Sequence, residues 1–210
     1  MANKDQGGSV KKRAITNIVL MGMGEPLDNY QNVTSFLKLV CDQDGLNFSE
    51  RNITLSTCGL VPKIYQLADE KHSVTLTVSL HEAEDKKRQE IMPIAKVYSI
   101  KEIVDACKYY FQKTGRRVSF EYSLIAGKND DFAHAERLAA ILKGFNCHVN
   151  VIALNDVQER HLRGSTLQKT YSFVEKLNSL GVNATKRRSM GEDIEGACGQ
   201  LRQSVIKEGK

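Results

Sequence analysis

The sequence predicts an α/β protein built as a partial (βα) barrel. Two observations carry that prediction. Short β-branched runs alternate along the chain with segments of helical period, the rhythm of parallel βαβ units. Three of these runs also pair an apolar face with a small, polar one, whereas a sheet covered on both sides reads apolar on both. An apolar face suits packing under helices, and a polar one suits a lumen or cleft that holds a polar ligand. An open barrel fits this pattern better than a doubly covered sheet. An antiparallel sheet with one wet face would show the same alternation, but the intervening helices speak against it.

The elements follow in order. A first strand is expected over 15–21. Asn29 then reads as an N-cap before Val33, Phe36, Leu37, Val40 and Cys41, a stripe that buries one helix face. In the second strand, 52–57, Ile53 and Leu55 oppose Asn52, Thr54 and Ser56, with Cys58 continuing the polar side. In the third, 74–80, Val74, Leu76, Val78 and Leu80 oppose Thr75, Thr77, Ser79 and then His81. Ser99 and Glu102 form a capping box before Ile103, Val104, Cys107, Tyr110 and Phe111. The fourth strand, 118–124, sets Val118, Phe120, Tyr122 and Leu124 against Ser119, Glu121 and Ser123. A fifth strand is expected over 148–154. Ser165 and Gln168 open a further helix with Leu167, Tyr171, Val174 and Leu177 on one side, and a sixth strand covers 182–186. With three prolines and no linker-like stretch, the chain divides into a disordered leader at 1–14, a partial barrel at 15–186 and a C-terminal tail at 187–210.

Composition narrows the function classes. The 41% hydrophobic and 26% charged content is that of an ordinary globular protein, and no apolar run approaches a membrane span. The start, MANKDQGGSVKKR, lacks the apolar core of a secretion signal. Five widely spaced cysteines, none in CxxC or CxxxCxxC, argue against a disulfide framework and for a cytoplasmic compartment. No residue set reads as a metal site. The net charge of +5 permits a nucleic-acid partner without demanding one.

Four segments carry the candidate chemistry. GMGEPL, at 22–27, follows a strand and precedes a helix, where ligands bind in α/β folds. Gly22 and Gly24 let backbone approach a ligand, Pro26 stiffens the turn, and Glu25 is placed to accept from a ligand amine. A plain βα turn closed by a surface glutamate explains the same residues. Ser56 in STCGLVP and Ser79 in SLHE lie on polar faces at strand ends, with His81 beside them and Asn155 ending the fifth strand. Cys198, in SMGEDIEGACGQLR, is a lone thiol between glycines and the candidate nucleophile or carrier. Glu192, Asp193 and Glu195 nearby should raise its pKa, so no standing thiolate is expected. Cys41 and Cys107 read as core, Cys147 as structural, and Cys58 as ambiguous on the polar face. Basic clusters at 11–13, 86–88, 116–117 and 186–188 each read as solvated surface, the last being the best RNA-facing candidate because it leads into the Cys198 segment.

Taken in order, GMGEPL, ITLSTCGLVP, VSLHE, MPI, EYSLIAGKND, VNVIALND and RRSMGEDIEGACGQL resemble the radical S-adenosylmethionine methyltransferases that modify carbon-2 of an adenine in 23S rRNA and some tRNAs. The resemblance runs from about residue 15 to about residue 203. It implies a partial barrel of the radical S-adenosylmethionine type. It also implies that Gly24 and Glu25 hold the methionyl amine of S-adenosylmethionine, and that Ser56, Ser79, Leu80, His81 and Asn155 contact that cofactor. It assigns Cys198 as the thiol that first receives a methyl group. A radical from a second cofactor molecule then activates that methyl for addition to the ring. Such a route suits a carbon that is itself electrophilic, and a 4Fe–4S cluster supplies the electron.

The chain departs from the family in one respect. The cluster's CxxxCxxC loop, a first barrel strand, a second cysteine and an accessory RNA-binding domain lie upstream of GMGEPL in the family. The resemblance therefore implies the C-terminal part of such an enzyme, inactive alone and prone to self-association through an open edge at its first strand. The alternative is a non-catalytic remnant that binds S-adenosylmethionine or RNA. A third reading is an unrelated barrel enzyme with Cys198 as a simple nucleophile.

Overall fold

The computed structural model describes residues 15–22, 24–153 and 163–187. The leader at 1–14, together with Asn155 and Cys198, lies outside the described residues. Six strands form one sheet: β1 (Ile18–Leu20), β2 (Ile53–Thr57), β3 (Thr75–Ser79), β4 (Val118–Leu124), β5 (Cys147–Ala153) and β6 (Ala184–Lys186). Every pairing is parallel, and the spatial order equals the chain order. That order decides the architecture. When each crossover moves one strand in the same direction, right-handed connections put every helix on the same face. No helix among the described residues lies on the other face, the arrangement of an open barrel and not of a doubly wound sheet.

The helices are α1 (Tyr30–Cys41), α2 (Val61–Asp69), α3 (Asp85–Ile91), α4 (Ile100–Thr114), α5 (Phe132–Leu142) and α6 (Leu167–Ser179). They cover the apolar strand face, where Val78, Phe120, Val149 and Ala184 stand side by side across four strands. Leu37, Ile64, Ile103, Leu138 and Phe173 descend onto that face and are fully buried. Burial of this kind is worth roughly 1.5–3 kcal/mol per large side chain.

Local signals set the elements. The Ser99–Glu102 capping box forms in both directions, and α4 ends at Gly115, whose φ of 67° is the left-handed conformation that glycine adopts without strain. Asn29 does precede α1, but its side-chain oxygen accepts from Asn32 at 2.7 Å instead of capping the helix. At α6 the cap is Thr166, one residue later than expected, while the Ser165 hydroxyl donates to Asp130 at 2.6 Å. The buried stripe of α6 is Thr170, Phe173, Val174 and Leu177. Leu167 and Tyr171 are about half exposed, against expectation.

The Tyr110 hydroxyl ties α4 to the approach of β3. It lies 2.8 Å from the His72 carbonyl and 2.7 Å from that of Val74, donating to one at a time. Tyr110 is fully buried, so Tyr110→Phe strips the donor from both carbonyls. The expected cost is about 1–2 kcal/mol, read as a lower urea midpoint at unchanged slope. An unmoved midpoint would show that the backbone satisfies these carbonyls by itself.

Candidate functional site

The face opposite the helices is polar in rows. Ser56, Thr77, Ser119 and His148 make one row across β2 to β5, and Ser79, Glu121, Asn150 and Thr185 make the next across β3 to β6. The second row lies nearer the carboxyl ends of the strands, the ligand-binding rim of βα architectures.

Glu25 enters this rim from the loop after β1. Gly24 precedes it with a φ of 96°, so a side chain there would be strained. One Glu25 carboxylate oxygen accepts from the Leu27 N–H at 3.0 Å, capping the short 3₁₀ turn Pro26–Asn29. The other accepts from the Cys58 N–H at 2.7 Å, just beyond β2. Each carboxylate oxygen thus takes one backbone donor and keeps a further lone pair for a ligand amine.

Ser56 and Ser79 are half-buried on the polar face, and among the described residues neither hydroxyl has a hydrogen-bond partner. Both are free to bond a ligand. The Leu80 side chain is fully buried in the core, so only its backbone belongs to the rim, and there its N–H donates to the Glu121 carbonyl at 3.0 Å. His81 has a φ of 60°, in the left-handed region. Its Nδ1 accepts from the Ser123 N–H at 3.2 Å, which puts the ring proton on Nε2. Burial, and then the nearby Arg88 guanidinium, push its pKa down to about 4. His81 is therefore a neutral donor at physiological pH, suited to a ligand's heterocycle or carboxylate.

Four residues that strand reading alone does not single out complete the site. Asn129 is fully buried in GKND. Its side-chain oxygen accepts from the Ile125 N–H at 2.7 Å, and its amide donates to the His81 carbonyl at 3.0 Å and the Ser123 carbonyl at 2.9 Å. That weld holds the His81 turn against β4. Glu121, nearly fully buried, accepts from the Asn150 amide at 3.0 Å and from Arg187 Nη1 at 3.2 Å. Arg187 thus turns inward, while Lys186 lies over the Tyr171 ring at 5.7 Å. Of the 186–188 basic cluster, these two also contact the protein itself, Arg187 while still exposed, and Arg188 lies outside the described residues. Arg88 departs most from expectation: read as solvated surface, it is wholly buried, and it donates to the carbonyls of Leu80, Cys58 and Ser79.

The described cysteines are all held as thiols. Burial and then the Glu25 carboxylate push Cys58 up to about 12, burial pushes Cys147 up to about 11, and burial raises Cys107 and Cys41 as well. Cys107 and Cys147 are buried, whereas Cys41 is half-buried at the edge of the core. Among the described residues, no group of three or more His, Cys, Asp or Glu side chains is placed to hold a metal ion.

Three comparisons bear on this site. The sequence profile of the Radical SAM superfamily matches residues 5–139. The chain is 57% identical over 193 residues to a probable dual-specificity RNA methyltransferase RlmN of Clostridium perfringens (strain 13 / Type A), covering 92% of this chain and 56% of that protein. It is 55% identical, with the same coverage, to the protein of that name from Clostridium botulinum (strain Alaska E43 / Type E3). Among solved structures, a radical SAM methyltransferase from Sphaerobacter thermophilus superposes with a TM-score of 0.86 at 45% identity, over 90% of this chain and 55% of that one. A domain of a pyruvate-formate lyase-activating enzyme from Bacteroides vulgatus ATCC 8482 superposes at 0.62 with 15% identity, a likeness of fold alone. The chain spans a little over half the length of the RNA methyltransferases it matches.

Proposed function

The chain belongs to the radical SAM superfamily, and on that premise we propose that it is the cofactor-shelf portion of an RNA methyltransferase that methylates carbon-2 of an adenine. The substrates proposed are 23S rRNA and tRNA, as the sequence resemblance implies, and the names of the relatives of high identity, dual-specificity RNA methyltransferases, support an RNA substrate. The observation that carries this reading is the convergence of Glu25, Ser56, Ser79 and His81 on the carboxyl rim of one polar sheet face.

These residues fit S-adenosylmethionine. Glu25 offers a carboxylate with spare lone pairs to the methionyl ammonium. Ser56 and Ser79 offer unpaired hydroxyls, and His81 a neutral N–H to the adenosyl or carboxylate end. We assign Gly24, Leu80 and Asn155 to the same shelf through their backbone or side chain. The bound cofactor supplies the methyl group, and Cys198 is proposed as the thiol that carries it. The described residues do not fit a 4Fe–4S cluster: their four cysteines are dispersed and held as thiols, so no step here is derived through one. Residues 15–186 serve as the scaffold and 187–210 as the carrier-bearing tail. No helix among the described residues is long and apolar enough to cross a membrane, and a cytoplasmic site of action is proposed.

The test is methyl transfer by protein expressed from the whole reading frame, reconstituted anaerobically with iron and sulfide. The substrate is 23S rRNA with methyl-labelled S-adenosylmethionine. Labelled 2-methyladenosine in the nuclease digest is the expected result. Label at carbon-8 would reassign the position, and no label would overturn the activity.

A further inference from the structure

Arg88 sits on α3, behind the rim. Nε donates to the Leu80 carbonyl at 3.0 Å, and Nη2 donates to the carbonyls of Ser79 at 3.1 Å and Cys58 at 3.0 Å. Nη1 has no hydrogen-bond partner, and among the described residues no carboxylate lies within ion-pair distance of the guanidinium. Burying a cation without an anion is costly, and joining neutral carbonyls does not by itself require a full charge. The expense is explained by where the three carbonyls lie. Two close β3, in the segment of Ser79, Leu80 and His81, and the third follows β2, two residues beyond Ser56.

We propose that Arg88 is the positioning residue of the cofactor shelf: one buried guanidinium fixes the carboxyl ends of β2 and β3 against each other and, through Cys58, fixes Glu25 above them. The proposal rests on the reading of this rim as the S-adenosylmethionine site. Cys58 is the junction, since its carbonyl accepts from Arg88 while its N–H donates to Glu25 at 2.7 Å. The next residue, Gly59, has a φ of 104°, and a Cβ there would stand 2.9 Å from Ile103 Cδ1 and 3.8 Å from Arg88 Nη2. The chain thus passes against α4 and Arg88 with no room for a side chain. On the far side, Asn129 holds the His81 carbonyl, so the turn is gripped from both flanks. The charge, which Asp85 offsets from beyond ion-pair distance, has a second use: it adds to burial, the larger cause, in keeping His81 neutral.

Two variants separate the guanidinium's geometry from its charge. Arg88→Met keeps the length and removes every donor, whereas Arg88→Lys keeps the charge but cannot span three carbonyls. The readouts are the affinity of the reconstituted whole-frame protein for S-adenosylmethionine by calorimetry, and the His81 titration midpoint of the 210-residue chain by NMR. Arg88→Met is expected to weaken binding at least tenfold and to raise the midpoint from about 4 by a part of its shift only, since burial, the larger cause, stays in place. Arg88→Lys is expected to weaken binding about threefold or more while the midpoint stays low. Wild-type affinity in either variant, or an unmoved midpoint in Arg88→Met, overturns the proposal. Should Arg88→Met not fold, the Arg88→Lys affinity decides it. If the wild-type protein binds no S-adenosylmethionine, the cofactor reading fails, and the midpoint alone judges whether Arg88 governs the His81 turn.

Discussion

On the proposed function, Cys198→Ala is expected to abolish formation of 2-methyladenosine while leaving cofactor binding in place. The expected fall in turnover is at least about 10³-fold, because removing a covalent carrier removes the route and not merely one stabilising contact. The physical reason lies in the target. Carbon-2 of adenine is flanked by two ring nitrogens and is poor in electrons, so it does not take up a methyl cation directly. On the proposed function, a thiol that first holds the methyl would present it as a thioether for the radical activation that the resemblance implies, in place of a direct methyl-cation transfer. The measurement is a nuclease digest of rRNA treated with wild-type and variant protein, alongside calorimetry with S-adenosylmethionine. Cys198→Ser is expected to be equally inactive, since a neutral hydroxyl is a far weaker nucleophile than a thiol. Mass analysis of the tryptic peptide containing Cys198 adds an independent readout: after incubation with S-adenosylmethionine in the absence of RNA the wild-type peptide is expected to carry one extra methyl, which RNA then removes, and the variants none. Wild-type product yield from Cys198→Ala would remove Cys198 from the mechanism and would favour a binding role for the tail.

Much of the scaffold was legible in the sequence, and the reason is specific to this kind of sheet. Among the described residues helices cover one face alone, so β2, β3 and β4 alternate Ile, Leu and Val with Thr and Ser, and the period of two survives into the composition. The rim was legible for the same cause, since Ser56 and Ser79 are out of phase with the core. The stripe of α6 was harder to read. Leu167 and Tyr171 continue an apolar pattern that burial does not follow, and Thr170 and Phe173 take the inward face instead. Arg88 was illegible for a different reason. It follows Lys86 and Lys87 on a seven-residue helix, too short for a period to show, and its burial comes from carbonyls 8 and 30 positions away in sequence. Glu121 reads as one polar residue among the serines of β4. Only the parallel register brings it beside Asn150 and lets Arg187 reach it from beyond β6.

Glu25→Ala is expected to damage binding and stability together, and the two losses can be told apart. The carboxylate holds two backbone donors, Leu27 N–H at 3.0 Å and Cys58 N–H at 2.7 Å. Hydrogen bonds to a charged group contribute roughly 1.5–3 kcal/mol each, less where water can replace the lost acceptor. Both bonds are part-buried and their carboxylate lies within reach of water, so about 2–3 kcal/mol in total is expected, a fall in Tm of roughly 2–4 °C per kcal/mol for a chain of this size. Affinity for S-adenosylmethionine should fall as well, by about 100-fold or more, because the ammonium of the ligand loses its counter-charge as well as a correctly placed strand end. Glu25→Gln separates the two contributions. Its amide oxygen can still accept from one N–H, whereas its NH₂ faces the other donor, so stability is expected to recover in part while affinity stays low. Calorimetry with S-adenosylmethionine and thermal unfolding, run on the same reconstituted protein, supply both numbers. Unchanged affinity in Glu25→Ala would confine Glu25 to tying the β1 loop to the end of β2. An affinity that tracks the loss of stability and recovers with it in Glu25→Gln would give the same answer. Low affinity in a Glu25→Gln protein of near-normal Tm would leave the negative charge itself as the group the cofactor's ammonium requires.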